Sequence, residues 1–152
     1  MENMLFRRFF ALVGMQCLLS FAHAQVRVTE IMYHPASENP AEEFVEVQNV
    51  AATNVNLAGW RFSKGISFTF SNSVVLPPGG FFVVVADTNV FAAKYPAVTS
   101  VIGNWTGTLN NSDENIRLTD DPGNTVDEVF YADEGDYAIR VRGAQDYNHR
   151  GW

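Results

Sequence analysis

The fold is decided by Asn115-Ile116-Arg117-Leu118-Thr119, then Asp120-Asp121-Pro122-Gly123-Asn124, then Thr125-Val126-Asp127-Glu128-Val129-Phe130-Tyr131. The first and third segments are rich in β-branched and aromatic residues, which strands favour. The segment between them consists of Asp, Pro, Gly and Asn, the residues typical of turns. This order predicts a β-hairpin closed by a loop of about five residues.

Several further short strands are predicted on the N-terminal side of this hairpin. In residues 43–49, Val45 and Val47 share one face of a strand, because side chains alternate between the two faces. The continuously apolar segment 81–86 predicts a strand that is buried on both faces. With the hairpin, about seven strands are predicted, which is typical of an all-β, antiparallel β-sandwich: 25–33, 43–49, 59–62, 66–70, 81–86, 115–119 and 125–131.

One short helix and the core complete the predicted fold. Asp87 or Thr88 is a candidate N-cap for a helix over about 88–95, and Pro96 stops it. The alternation within the strands predicts a core that contains Val45, Val47, Trp60, Phe68, Val84, Ile116 and Leu118.

Length and charge limit the classes of function. The 152 residues suit a single domain, and the apolar content of 47% excludes a disordered chain. The net charge is −7. Nucleic-acid binding is not expected, since phosphate contacts need clustered Lys and Arg.

The first 24 residues predict a secretory signal peptide. Arg7 and Arg8 precede an apolar stretch, and the segment ends in the small-x-small pattern Ala22-His23-Ala24. The apolar stretch is too short for a membrane anchor, so we expect cleavage after Ala24 and no membrane span in the mature chain. The protein is then exported to the periplasm, the cell surface or the extracellular space. Cys17, the single cysteine, leaves with this peptide.

The order of four segments resembles the lamin tail domain family. They are 29–35 (Thr-Glu-Ile-Met-Tyr-His-Pro), 43–49 (Glu-Phe-Val-Glu-Val-Gln-Asn), 57–60 (Leu-Ala-Gly-Trp) and 76–81 (Leu-Pro-Pro-Gly-Gly-Phe). The resemblance covers about residues 26–131 and, with the signal peptide, points to secreted bacterial members. It implies an immunoglobulin-like sandwich over 25–131 that serves as a non-catalytic module beside enzymes or adhesion domains.

The C-terminal residues 132–152 lie beyond this pattern and are similar to a linker-like extension. Residues 133–143 alternate in a way that suggests the start of another structured element, and the segment ends at Trp152, a residue with little chain around it to bury it. We expect the sequence to be part of a longer multidomain protein, with 132–152 mobile and sensitive to protease. The alternative is a short protein with a frayed terminus.

Catalytic motifs are not apparent in the sequence. His34 and His149 are isolated, and no serine lies in a nucleophile-elbow context. We therefore expect no enzymatic activity. A hydrolase with two paired carboxylates stays open as an alternative, since a sequence does not give the separation of two carboxyl groups.

The turn of the hairpin is a candidate calcium site. Asp120, Asp121 and Asn124 offer carboxylate and amide oxygens, the ligands that calcium prefers, although their spacing is not that of an EF-hand. The alternative is an acidic rim in contact with solvent, the location that is also expected for the carboxylates of residues 42–46. We expect affinity in the millimolar range or none.

Trp105 is the candidate ligand-binding aromatic, because Asn104-Trp105-Thr106-Gly107 has the composition of an exposed loop. An exposed indole would stack on a sugar, whereas a buried one would anchor the loop. The leading hypothesis is a secreted non-catalytic module for adhesion, assembly or protein interaction. The alternative is a carbohydrate-binding module assisted by calcium, so the expected partner is a protein or a cell-surface glycan.

Overall fold

The computed structural model describes residues 25–71, 74–133 and, for the backbone alone, 138–141. The predicted signal peptide and the chain beyond Val141, including Trp152, lie outside the described residues. The elements are β1 Val26–Met32, a 3-10 helix Pro40–Glu42, β2 Phe44–Asn49, β3 Val55–Asn56, β4 Arg61–Lys64, β5 Phe68–Thr69, β6 Val75–Leu76, β7 Phe81–Val85, α1 Thr88–Lys94, β8 Val101–Gly103, β9 Asp113–Thr119, β10 Thr125–Ala132 and β11 Ala138–Val141.

The strands form two large sheets and one small one. The first sheet has the order β1-β2-β7-β8, the second has the order β11-β10-β9-β4-β5, and β3 pairs with β6 alone. The fold is an all-β sandwich of the immunoglobulin-like class, as the sequence predicts. No helix in the described part of the chain is long and apolar enough to cross a bilayer.

The hairpin at the centre of the prediction is confirmed. β9 and β10 are antiparallel, with Ile116 opposite Val129 and Asn115 opposite Phe130. The shorter hairpin of β4 and β5 is also present, and Gly65 in its turn has φ +81°, a conformation that glycine adopts without steric cost.

The main core lies between the two large sheets. Of the predicted core residues, five are buried and two, Trp60 and Phe68, are partly buried and pack against the core. The five are Val45, Val47, Val84, Ile116 and Leu118. At roughly 25 cal/mol per Å² of apolar surface, this inter-sheet layer is the main source of stability in a chain without a disulfide in its described part.

A second, smaller core lies under helix α1. Asp87 caps this helix by accepting the N–H groups of Asn89 and Val90, which confirms the predicted cap. Phe91 packs with Phe44, Val83 and Val85 on the outer face of the first sheet. Burial of β7 on both faces therefore holds for Val83–Val85, whereas Phe81 at the start of the strand is 41% exposed.

Two features of the sheets differ from the prediction. β8 is parallel to β7, because the chain crosses over through α1 between them, so the sandwich is not wholly antiparallel. β11 pairs with β10, with Arg140 opposite Val129, and extends the second sheet into the segment predicted as a linker. The rest of that segment beyond Val141 lies outside the described residues.

Candidate functional site

The candidate site lies at the start of strand β2, where an acidic residue faces the interior. Glu43, Val45, Val47 and Asn49 are alternate residues and lie on the same side of the strand, toward the second sheet. All four are buried, with Glu43 2% exposed and Asn49 fully buried. An inward polar side chain therefore lies at each end of this stretch, at Glu43 just before β2 and at Asn49, with apolar side chains between them.

The carboxylate of Glu43 holds the loop that precedes β9. Its Oε2 atom accepts the backbone N–H of Leu109 at 2.8 Å. Burial raises the pKa of Glu43, the Leu109 hydrogen bond lowers it, and the negative charge of Glu114 raises it further. Among the described residues, Leu109 is the one hydrogen-bond donor to this carboxylate.

One wall of the site is the segment between β1 and the 3-10 helix. It turns back on itself at Pro35, whose carbonyl accepts the N–H of Glu38 at 2.9 Å, and Glu38 has φ +59°. The Asn39 side chain accepts the N–H of Ala41 and starts the 3-10 helix. The N–H of Glu43 donates to the carbonyl of Pro40, so this wall leads directly into the buried carboxylate.

The opposite wall is the loop 108–112, which polar side chains anchor from two strands. Glu114 accepts the N–H of Asn110 at 3.0 Å, and the Tyr131 hydroxyl donates to the carbonyl of Asn110 at 2.8 Å. Tyr131 stacks on Tyr33 with ring centroids 4.4 Å apart. Burial, with the nearby charges of Glu114 and Glu43, raises the pKa of Tyr131, so the hydroxyl keeps its proton.

Between these walls lies a groove of about 400 Å³. We call it the acidic groove. Its two charged lining residues are Glu38 and Glu43, and none of the described residues that line it is Lys, Arg or His. Two basic side chains that contact the wall between β1 and β2 already have acidic partners: Lys94 pairs with Glu42, and Nε2 of His34 lies 3.0 Å from Oε1 of Glu38. The lining comprises Pro35, Glu38, Pro40, Glu43, Thr108, Leu109, Asn110 and Asn111.

None of the site residues predicted from the sequence lines the acidic groove. From the sequence, Glu43 is expected in a solvated acidic rim, since carboxylates are seldom buried. The missed signal is the alternation itself: Glu43 has the same parity as Val45 and Val47, so the strand pattern places it inward. The loop 108–112 carries no such signal, because its position depends on contacts with Glu114 and Tyr131.

A sequence model of the Lamin Tail Domain family matches residues 20–133. The chain belongs to the lamin tail domain family. The resemblance carried by the four segments is thereby confirmed, and the match contains both walls of the acidic groove. The lamin tail domain is an immunoglobulin-like protein-interaction fold and not a known enzyme family. No curated protein matches the chain.

The predicted calcium ligands of this lamin tail domain lie in the turn between β9 and β10. Asp120 accepts the N–H groups of Gly123 and Asn124 through Oδ1 and the Asn124 amide through Oδ2. The Asn124 side-chain bond, followed by these backbone bonds, lowers the pKa of Asp120. The carboxylate thus closes its own turn, and Asp121 is exposed beside Gly59. The described residues contain no cluster of three or more His, Cys, Asp or Glu side chains placed to hold a metal.

Trp105, the candidate ligand-binding aromatic, is buried, so of the two alternatives the indole anchors its loop and is not exposed for stacking on a sugar. It is 8% exposed and belongs to the main core. The reason is tertiary: Ser67 and Thr106 exchange two backbone hydrogen bonds, which fasten the loop to the β4–β5 hairpin. This bridge draws the neighbouring indole inward, so that it anchors the loop instead of facing a ligand.

Proposed function

We propose that this lamin tail domain is a non-catalytic module of an exported protein and that it binds a partner protein in the acidic groove, in an adhesion or assembly role. The observation that carries the proposal is the groove of about 400 Å³ with a nearly buried carboxylate in its wall. The family fold, used for protein interaction, supports the same class of function.

The geometry of the groove favours a peptide segment as its occupant. Both walls are held by specific side-chain bonds, so the groove exists before a partner arrives and little ordering is required on binding. Its mixed lining of proline, leucine, threonine and asparagine offers apolar contact together with hydrogen-bonding groups. Sugar binding by Trp105 is not proposed, because the indole is buried in the core.

A displayed peptide library, selected on the purified protein, tests the proposed function. We expect enriched peptides whose binding is lost in Thr108→Lys, which places a long cationic side chain on the groove wall. The matched control is Thr69→Lys, at an exposed position on β5 that does not line the groove. Peptides that bind both variants equally, or glycan binding that Thr108→Lys leaves unchanged, would contradict the proposal.

Export is part of the proposal and has its own test. The Arg7-Arg8 pair, the apolar stretch and Ala22-His23-Ala24 support it. After expression of the full chain in a bacterial host, N-terminal sequencing of the exported material is expected to begin at Gln25. Recovery of the protein in the membrane fraction with Met1 intact would overturn this part of the proposal.

A further inference from the structure

We infer that the acidic groove is a receptor for one lysine side chain of the partner protein, with Glu43 as the residue that meets the ammonium group. This inference rests on the proposed function and names the chemistry of the bound segment. Its evidence is the charge of the groove, the burial of Glu43 and the apolar character of the walls.

The negative charge of the acidic groove favours binding of a cation. Its two charged lining residues are carboxylates, and Glu114 adds a third negative charge behind the Asn110 loop. Lys94 is occupied by Glu42, so among the described residues it does not supply a counter-ion to Glu43. A buried carboxylate without a charged partner is costly, and an external ammonium group would relieve that cost.

The bonding of Glu43 shows where the ammonium group would lie. The residue is 2% exposed yet lines the groove, and Oε2 accepts the Leu109 N–H. Within the described residues no second donor reaches this carboxylate, so it retains acceptor capacity. Burial, and to a smaller extent the negative charge of Glu114, raises the pKa of Glu43, which is the direction expected for a carboxylate that lacks a counter-ion.

The walls suit the stem of a lysine. Pro35, Pro40 and Leu109 present apolar surface, and the four methylene groups of lysine are commonly buried along such surface while the ammonium reaches a polar partner. Lysine is favoured over arginine because one carboxylate oxygen is already engaged by Leu109. A guanidinium binds best to two free oxygens, whereas an ammonium acts as a point charge.

The test is a titration of the isotope-labelled protein, followed by the backbone amide NMR signals of Glu43, Leu109 and Asn110. The probes are Nα-acetyl-lysine methylamide, its arginine counterpart, and the norleucine counterpart, which has the same stem without a charge. We expect saturable shifts with the lysine probe, weaker ones with arginine and none with norleucine. Equal shifts with norleucine, tighter binding of arginine, or no saturable shift would overturn the inference.

Two variants separate the role of Glu43 from general acidity. Glu43→Gln keeps a carbonyl oxygen for the Leu109 N–H but removes the charge, and we expect it to weaken binding of the lysine probe about tenfold or more. Glu46→Gln removes a charge on the outward face of β2, where the side chain accepts the Thr29 hydroxyl, and should leave affinity unchanged. Equal losses in both variants would overturn the assignment to Glu43.

Two control titrations test whether a simple cation causes the same NMR shifts as the lysine probe. Ammonium chloride and calcium chloride are titrated at the concentration of the lysine probe, and we expect neither to reproduce its shifts. If either does, the groove is a simple cation site and the inference is wrong. Peptides selected on the groove that contain no lysine would also overturn it, while the proposed function would still stand.

Discussion

Asn49 at the end of β2 and Glu43 just before its start are both inward-facing polar residues, but they differ in how far the protein satisfies their polar atoms. Asn49 and Glu43 both point into the sandwich, and each fastens a loop. The Asn49 side chain donates to the carbonyls of Thr53 and Leu76 and accepts the N–H of Ala51, so its polar groups are satisfied within the protein. Glu43 carries a charge, receives one hydrogen bond from the described residues, and lines a groove.

This difference separates a structural polar residue from a functional candidate. A neutral amide with three partners costs little to bury and needs nothing from outside. A carboxylate with one partner retains both charge and acceptor capacity, and its pKa is raised. Burial alone therefore does not identify a site. A site is indicated when a buried polar group also lacks hydrogen-bond or charge partners and lies where solvent or a ligand can reach it.

The largest expected loss of stability is at Asn49, the end of β2 where the polar groups are satisfied within the protein. Asn49→Ala leaves two carbonyls and one N–H without their partner, and we expect it to lower the free energy of unfolding by about 2–4 kcal/mol. Gln48→Ala is the matched control, since this neighbouring side chain points outward and makes one exposed bond to Gly79. Urea denaturation of both variants measures the difference. Equal losses would show that Asn49 does not have the structural role assigned to it.

At Glu43, the loss of stability is smaller and depends on which residue replaces the glutamate. Glu43→Ala removes the acceptor of the buried Leu109 N–H and is expected to cost about 1–3 kcal/mol. Glu43→Gln keeps an acceptor and avoids burial of a charge, so its stability at neutral pH should equal or exceed that of the wild type. A Gln variant as unstable as the Ala variant would mean that the charge itself holds the loop.

The pH dependence distinguishes the two ends further. Because the pKa of Glu43 is raised in the folded state, this residue favours folding most below its unfolded pKa of about 4.3, and that contribution is lost as pH rises through the folded pKa. The Gln variant does not titrate there, so its stability relative to wild type should increase as pH rises above this unfolded pKa. The carboxylates with lowered pKa, Glu42, Asp120 and Glu128, act in the opposite direction but are common to both proteins.

Thermal unfolding of wild type and Glu43→Gln between acidic and neutral pH provides this measurement. Asn49→Ala serves as the control, because its difference from wild type should stay constant over the same range. A constant difference for Glu43→Gln as well would contradict the raised pKa of Glu43.

The smallest effect is expected at the hairpin turn. Asp120 already holds three N–H donors, so calcium would have to displace bonds that close the turn. We expect calorimetry to give calcium affinity in the millimolar range or none, as in weak extracellular modules. Asp121→Ala is the paired variant, since it removes an exposed carboxylate without breaking the turn. Micromolar binding that this variant abolishes would make the turn a true calcium site.

The sequence by itself determined seven of the strands, the central hairpin, helix α1 and the family, whereas the short strands β3, β6, β8 and β11 were not predicted. These features depend on local alternation, turn residues and caps, which act over a few neighbouring residues. The same alternation contained the inward position of Glu43, although the rarity of buried carboxylates favoured the solvated interpretation. Local pattern therefore determines which face a residue occupies.

Only the tertiary structure decided what each inward or loop residue meets. Trp105 is buried because a bridge between Ser67 and Thr106, 39 positions apart, draws its loop onto the sandwich. Glu43 lines a groove because Leu109 lies beside it, 66 positions later in the chain. β8 is parallel because α1 carries the chain across the sheet. Contacts between residues so distant in sequence are set by the packing of whole sheets, and no local pattern encodes them.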